Sequence, residues 1–394
     1  MNLESLGWSS QFEKAFQSLL QSLGQTGSTA SNHGVAEDGS QPVGILNPAN
    51  RTAVPVSILV PGRISAEHRE AYQVITEHGE LRGQVSGKLR YSAQSRNDFP
   101  TVGDWVAVEI AADSSERLNE VAVIRGVLAR KSLFTRKEAG NTYGEQLVAA
   151  NLDTVFLVSS LNQDLSLRRL ERYLVMAWDS GANPVVLLTK ADLCKEIEPI
   201  LEAVKSITLG VPVHVVSALT EQGLAHLEPY LKPGRTVAFL GSSGVGKSTL
   251  INWIAGKDVQ TVGAIRAGDG RGRHTTTVRS LGVLPSGAVV IDTPGMRELH
   301  LADADTGLEA SFRDIEALSA HCRYRDCKHN TEPGCAVQEA LQAGTLDAYR
   351  LQSYRKLQRE LAYQRRKEDE RAQLVERNKW KQITKEQRGR HTKR

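Results

Sequence analysis

The sequence predicts a multidomain chain. Its parts are an N-terminal all-β barrel of OB type, a central α/β domain built on a phosphate-binding loop, and a C-terminal α-helical segment closed around a metal. Three observations carry this. Short alternating strand patterns crowd residues 56–140. Over 150–300, continuous apolar runs alternate with helical stretches, the pattern of a mostly parallel sheet covered on both faces. Three cysteines and a histidine then cluster between 322 and 335. At 394 residues the chain is too long for one core. Its 40% apolar and 24% charged residues are ordinary for a globular protein.

Taken in order, residues 1–55 read as a flexible extension. It opens with a short amphipathic helix carrying Leu6, Trp8, Phe12, Phe16 and Leu19, and continues as a Gly-, Ser- and Asn-rich linker. Within 56–140, GELRGQVSGKLRY alternates Leu81, Gly83, Val85, Gly87, Leu89 and Tyr91 on one face of a strand. VGDWVAVEI and NEVAVIRGVLARKSLF supply further strands, and several short strands in so few residues suggest an OB-fold. Arg82, Lys88, Arg90, Arg130, Lys131, Arg136 and Lys137 would suit RNA, and would equally suit solvated strand faces. The α/β domain, 150–300, contains the runs TVFLVSS, NPVVLLT, VPVHVVSA, TVAFLG and AVVIDTPG. Residues 301–348 form the metal segment, and 349–394 read as a basic tail, helical and then disordered.

Charge and signal content narrow the setting. Residues 351–394 hold 15 Lys and Arg against 6 Asp and Glu, although the whole chain is only +4. Such a tail points to a polyanionic partner. No apolar run approaches the ~20 residues of a membrane helix. MNLESLGWSSQFEKAF lacks the basic and apolar regions of a secretion signal. A cytoplasmic protein with no membrane partner is expected, and nothing demands more than a monomer.

The chemistry sits in five short motifs. GSSGVGKST comprises Gly241, Ser242, Ser243, Gly244, Val245, Gly246, Lys247, Ser248 and Thr249. It follows a strand and opens a helix, the context a phosphate-binding loop requires. Its N–H groups would face the β-phosphate, Lys247 would neutralise the β and γ oxygens, and Ser248 would bind Mg²⁺. DTPG places Asp292 at a strand end to hold Mg²⁺ through water, with the Gly295 N–H to sense the γ-phosphate. HTTT offers Thr276 as a second Mg²⁺ ligand, preceded by the Gly-rich GAIRAGDGRGR, a switch for the γ-phosphate to order. TKAD, with Thr189, Lys190 and Asp192, resembles the N-K-x-D motif that reads guanine. Asp192 would accept from the N1–H and N2–H₂ edge, the Lys190 stem would cover the base, and Thr189 stands where Asn is usual. Ser217 and Ala218 close the strand VHVV as the last guanine-contact loop.

These motifs run in an unusual order: guanine readers first, then phosphate loop, then switches. A circularly permuted GTPase, which binds GTP and GDP with Mg²⁺, explains the order, since a sheet does not record where its chain was cut. The cut leads the DTPG strand straight into the metal segment, so a γ-phosphate-driven movement could pull on it. There Cys322, Cys327, His329 and Cys335 give C-x₄-C-x-H-x₅-C, three thiolates and an imidazole suited to a closed, structural Zn²⁺ site.

An OB-like barrel, a permuted GTPase and this zinc spacing together resemble the small ribosomal subunit biogenesis GTPase family known as RsgA or YjeQ, among the permuted YlqF/YawG-like GTPases of the TRAFAC class. GSSGVGKST, GRHTTT, DTPGMREL and the cysteine spacing carry the resemblance, which covers roughly 56–348. It implies binding to the small ribosomal subunit and its rRNA, and GTP hydrolysis when docked there, at a late stage of maturation. Met296 follows Gly295, where a Ras-like enzyme has the Gln that positions water, so intrinsic hydrolysis should be slow. His274 could orient water once the subunit orders the loop, or could instead pack or contact RNA. Other readings are a permuted GTPase of the large subunit, a P-loop ATPase with an RNA-binding barrel, and an RNA-binding module that holds nucleotide only for structure. TKAD and the HTTT switch count against the ATPase. Lys247, Ser248 and Asp292 count against the module.

Overall fold

A computed structural model of the chain describes residues 2–23, 57–68, 71–111, 121–137, 145–162, 165–256, 280–292, 305–363 and 365–366. Five strands form the first body: β1 (Ser57–Glu67), β2 (Tyr72–Thr76), β3 (Gly79–Val85), β4 (Trp105–Ala111) and β5 (Ala122–Val127). They pair in the order 1-2-3-5-4, and β4 returns to β1, so the sheet closes and leaves no edge. Only β3 and β5 run parallel. Val60, Ile64, Val74, Val106, Val108 and Ile124 fill the barrel.

The strand expected to run on to Tyr91 stops at Val85. Residues Gly87–Ser92 form a helix, α2. Ser86 ends the strand by capping that helix: its hydroxyl accepts a hydrogen bond from the Leu89 N–H at 3.1 Å.

The amphipathic N-terminal segment is a helix, α1 (Ser10–Ser22), but it is not part of a loose extension. Phe12, Phe16 and Leu20 are buried, and the Trp8 and Trp105 rings meet edge to face at 4.8 Å. Arg63 of β1 fastens this junction. Its guanidinium donates to the Leu6 carbonyl and, at 2.8 Å, to the Thr236 hydroxyl, so barrel, N-terminal segment and α/β domain meet on one side chain. Burial pushes the Arg63 pKa down to about 10, opposed by Asp153 and Asp104, and the group stays charged at neutral pH. The expected flexible extension is thus corrected for residues 2–23, while the linker reading falls outside the described residues.

A hairpin, β6 (Leu133–Lys137) and β7 (Glu145–Ala150), leads into the α/β domain. There β8 (Thr154–Ser160), β9 (Asn183–Thr189), β10 (Val213–Val215), β11 (Thr236–Leu240), β12 (Ser280–Val283) and β13 (Val289–Asp292) stand in the order 10-9-8-11-13-12. All pair in parallel except β12, which is antiparallel to β13. β8 and β11 are buried along their whole length, as a central position demands. Successive strands step outward from β8 to β10, and the chain then returns to the other side of β8 with β11. That reversal creates a topological switch point, where open α/β sheets bind ligands beyond the carboxyl ends of their strands.

Past the sheet, the helix Asp305–Ser311 lies on α3 (Leu167–Asp179). Gly307 permits the approach, because a Cβ there would stand 2.0 Å from the Val175 carbonyl oxygen. A final helix spans 348–363. The tail expected to begin as a helix does so, and this helix belongs to the folded body: Leu351, Tyr354, Leu357 and Leu361 are buried in the shared core. Arg350 locks it. Its guanidinium pairs in a fork with Asp314 at 2.9 and 3.0 Å, donates to the Ser311 carbonyl at 2.6 Å, and lies 4.3 Å over the Phe312 ring. Among the described residues no helix is long and apolar enough to cross a membrane.

Candidate functional site

The carboxyl ends of β9, β10, β11 and β13 share one edge of the sheet and deliver the separated motifs to one place. α4 (Glu198–Ile207) links β9 to β10; β11 feeds the phosphate loop, and α5 (Lys247–Ile254) follows it. Gly246 has φ +96°, a left-handed conformation that a side chain would strain, and it turns the chain into the helix. Ser243, Gly244, Ser248 and Thr249 are exposed and Val245 is buried, so the loop opens to solvent on its ligand side. The Lys247 Nζ folds back and donates to the carbonyls of Gly241 and Ser242, each at 2.5 Å. Its charge is therefore held at the loop. The N-terminus of α5 adds its own positive end there.

Thr189 answers the departure from Asn. Its hydroxyl donates to the Val245 carbonyl at 2.6 Å, and its side chain is buried. The last residue of β9 is thereby tied to the middle of the phosphate loop, 56 positions further along the chain. Two segments that serve one ligand must keep a fixed spacing, and this bond ties the end of β9 to the loop after β11. Thr189→Val keeps the shape and leaves the Val245 carbonyl unpaired, a loss of about 1–3 kcal/mol. The expected result is a thermal midpoint lower by roughly 2–10 °C, read by scanning calorimetry without nucleotide. An unchanged midpoint would remove the tie.

Lys190 takes a left-handed φ of 58° just beyond the strand, and Asp192 follows on the single turn Ala191–Leu193. The Ser217 hydroxyl donates to Asp192 Oδ1 at 2.5 Å and accepts from the Thr220 N–H at 3.2 Å. Ser217 thus orients the carboxylate. Each carboxylate oxygen carries two lone pairs, so Oδ1 can still accept from a base edge. Ala218 follows, half-buried. Asp292 ends β13 half-buried, paired across the ladder with Ser280. His274, Thr276 and Gly295, like Thr275, Met296 and the Gly-rich stretch before HTTT, lie outside the described residues.

The metal cluster is compact. One ligand atom from each of Cys322, Cys327, His329 and Cys335 lies within 4.8 Å of the others. Tetrahedral zinc with Zn–S of about 2.3 Å and Zn–N of about 2.0 Å requires edges of roughly 3.8 Å between sulfurs and 3.5 Å from sulfur to nitrogen. Cys322 Sγ and Cys335 Sγ are 3.8 Å apart, and each is 3.6 Å from His329 Nδ1. The residues therefore fit zinc. The imidazole is also in the right tautomer. Ser319 donates its hydroxyl proton to the Ile315 carbonyl at 2.8 Å, so at 3.1 Å it must accept from His329 Nε2–H. That leaves the Nδ1 lone pair turned to the cluster. Burial lowers the His329 pKa and keeps the ring neutral. Burial pushes the Cys322 thiol up, but the Val337 and Ala336 N–H groups outweigh it and hold the thiol below its usual value. The roles of Ser319 and of the Thr189 hydroxyl were not foreseen, because both depend on partners distant in sequence or hidden in a helix.

Comparison with known proteins gives a consistent picture. The RsgA GTPase family model matches residues 127–302. An ABC transporter model matches 224–388, a span that contains the same phosphate loop. Small ribosomal subunit biogenesis GTPase RsgA 2 of Lactiplantibacillus plantarum is 52% identical over 303 residues, 77% of this chain and 84% of that protein. The RsgA of Opitutus terrae is 47% identical, covering 84% of this chain and 91% of its own. Among solved structures, YjeQ from Thermotoga maritima superposes with a TM-score of 0.58 at 28% identity, over 77% of this chain and 99% of that one. YloQ, described as a circularly permuted GTPase, shares the fold with a TM-score of 0.55 at 24% identity, over 77% and 96%.

Proposed function

The chain belongs to the RsgA family of small ribosomal subunit biogenesis GTPases, and from that membership we propose that it acts late in maturation of the small subunit, binding its rRNA and hydrolysing GTP when docked. The observation that carries the nucleotide half is the Thr189–Val245 bond, which draws two motif groups in inverted order into one site. Asp192 reads the guanine edge, with Lys190, Ser217 and Ala218 around the base. The loop from Gly241 to Thr249 would hold the phosphates, and Ser248, Thr276 and Asp292 are the residues that would hold Mg²⁺, Asp292 through water. Gly295 senses the γ-phosphate. When bound, Mg²⁺ would neutralise the negative charge of the transferred phosphate. The Cys322, Cys327, His329 and Cys335 set holds zinc for structure only, since four protein ligands leave no open position.

Met296 cannot position water, so the chain alone turns over slowly and the subunit supplies the missing order. In this reading His274 orients the attacking water. His274→Ala should keep GTP affinity and lose about 10²-fold of the subunit-stimulated rate in a phosphate-release assay. Full stimulated turnover in that variant would remove His274 from the mechanism.

The docking half is tested by co-sedimentation of the full chain with purified small or large ribosomal subunits, with a non-hydrolysable GTP analogue or with GDP. Selective pelleting with small subunits in the analogue, weakening steeply with salt, is the expected result. Binding to large subunits instead would transfer the function to that subunit.

A further inference from the structure

One surface of the barrel presents an aromatic ring and two cations that neither the fold nor the nucleotide site uses. Tyr91 is 94% exposed, on a helix with no buried residue of its own. An aromatic ring left wholly in water adds nothing to the fold, and tyrosine bodies normally gain stability by burial. Lys88 lies three residues earlier, on the same helical face, and Arg90 adjoins it. Both cations are exposed, and neither makes an ion pair among the described residues. The helix carries no acidic residue.

The other side of α2 borders a concavity. Leu89 and Ala93 form one wall of a cleft of about 520 Å³. Leu19 of α1 also lines it, together with Asn97, Asp98 and two arginines already paired inside the fold, Arg125 with Glu109 and Arg130 with Asp104, so the free cations lie on the outer face of α2. That volume lies in the range that accommodates a small organic ring system. A solvated ring, bare cations and a half-polar cleft thus adjoin one six-residue helix. Single-stranded nucleic acid needs this combination: a π-face for a base, cations along the backbone, and room for the next nucleotide.

We propose that α2 is a docking platform for an unpaired segment of RNA, with one base stacked on Tyr91, phosphates at Lys88 and Arg90, and the neighbouring nucleotide in the cleft beside Leu89. The inference rests on the small-subunit reading for the source of that RNA. It places the contact on the helix between β3 and β4 instead of on the strand faces, and it assigns the recognition to a ring, so pairing state decides binding.

The test uses the full chain as wild type, Tyr91→Ala, Tyr91→Phe and Lys88→Ala. Each is titrated with a fluorescent ten-nucleotide oligouridylate, with a ten-base-pair RNA duplex, and with purified small subunits, and thermal midpoints check folding. Tyr91→Ala should weaken oligouridylate and subunit binding by roughly 5- to 150-fold, the range for loss of one base–aromatic stack. Tyr91→Phe keeps the ring and should stay within about twofold, and the duplex should bind less tightly than the single strand. Lys88→Ala should reduce the slope of log affinity against log salt by about 0.7. Equal binding by wild type and Tyr91→Ala would overturn the platform, as would a Tyr91→Phe as weak as the alanine variant. A Tyr91→Ala defect on subunits without one on oligouridylate would mean a protein contact and would also overturn it. If wild type ignores small subunits while the oligouridylate pattern holds, the ribosomal reading fails and the platform stands.

Discussion

Asp192→Asn is expected to abolish recognition of GTP and create recognition of XTP. In the proposed site, the carboxylate of Asp192 would offer two acceptors to the N1–H and N2–H₂ donors of guanine. An amide offers one acceptor and one donor, and xanthine presents a carbonyl where guanine has its amine. The new pair therefore matches xanthine and opposes two donors in guanine. A site built to bond a polar edge rejects a mismatched one by about 10⁴-fold or more. Ser217 holds Oδ1 at 2.5 Å, so the side chain keeps its place and the variant tests chemistry more than orientation. Competition of GTP and XTP for the loaded protein reads the result. Equal GTP affinity in wild type and Asp192→Asn would show that the base is read elsewhere.

Loss of zinc is expected to unfold the C-terminal segment while sparing the nucleotide site. Cys335→Ser removes a buried ligand from a set whose edges already match tetrahedral zinc. Structural zinc contributes on the order of 10–16 kcal/mol to small domains of this kind. Without it, the region around Cys322 to Cys335 has no large core to fall back on, although the 348–363 helix still packs on Leu308, Phe312 and Ile315. Zinc content should fall from one ion per chain to almost none, and trypsin should cut at the exposed Arg323 and Arg325. GTP affinity should change little, because every residue proposed to hold the nucleotide, Gly295 included, precedes the zinc segment in the chain. A Cys335→Ser protein that keeps its zinc, or a wild type without any, would contradict the assignment.

The GTPase fold and the cluster of three cysteines and a histidine were legible in the sequence because their motifs are written in short runs with fixed spacing. Phosphate loops need Gly at set positions, and zinc needs four soft donors within one small segment. The barrel was legible as a type through its many short strands, but its α2 was not. Alternation of apolar residues continues through GELRGQVSGKLRY, and only the Ser86 cap on Leu89 turns the last six residues into a helix. Long-range ties were hidden altogether. Arg63 reads as a polar strand residue, yet it joins Leu6 to Thr236 across the fold. Arg350 looks like one more cation of a basic tail, and its partners Asp314 and Ser311 come from another helix pair. Thr189 reads as a weakened guanine contact until the Val245 carbonyl appears beside it. Local pattern gives element type and motif, whereas these bonds depend on which distant backbone atoms the fold delivers.

The account stands most directly on a turnover measurement: phosphate release from GTP and from ATP by the purified full chain, alone and with purified small subunits, at low and at high salt. Slow GTP turnover alone, strong acceleration by small subunits, loss of that acceleration at high salt and no ATP turnover are predicted. ATP hydrolysis, or GTP hydrolysis indifferent to small subunits, would contradict the assigned function while leaving the fold as described.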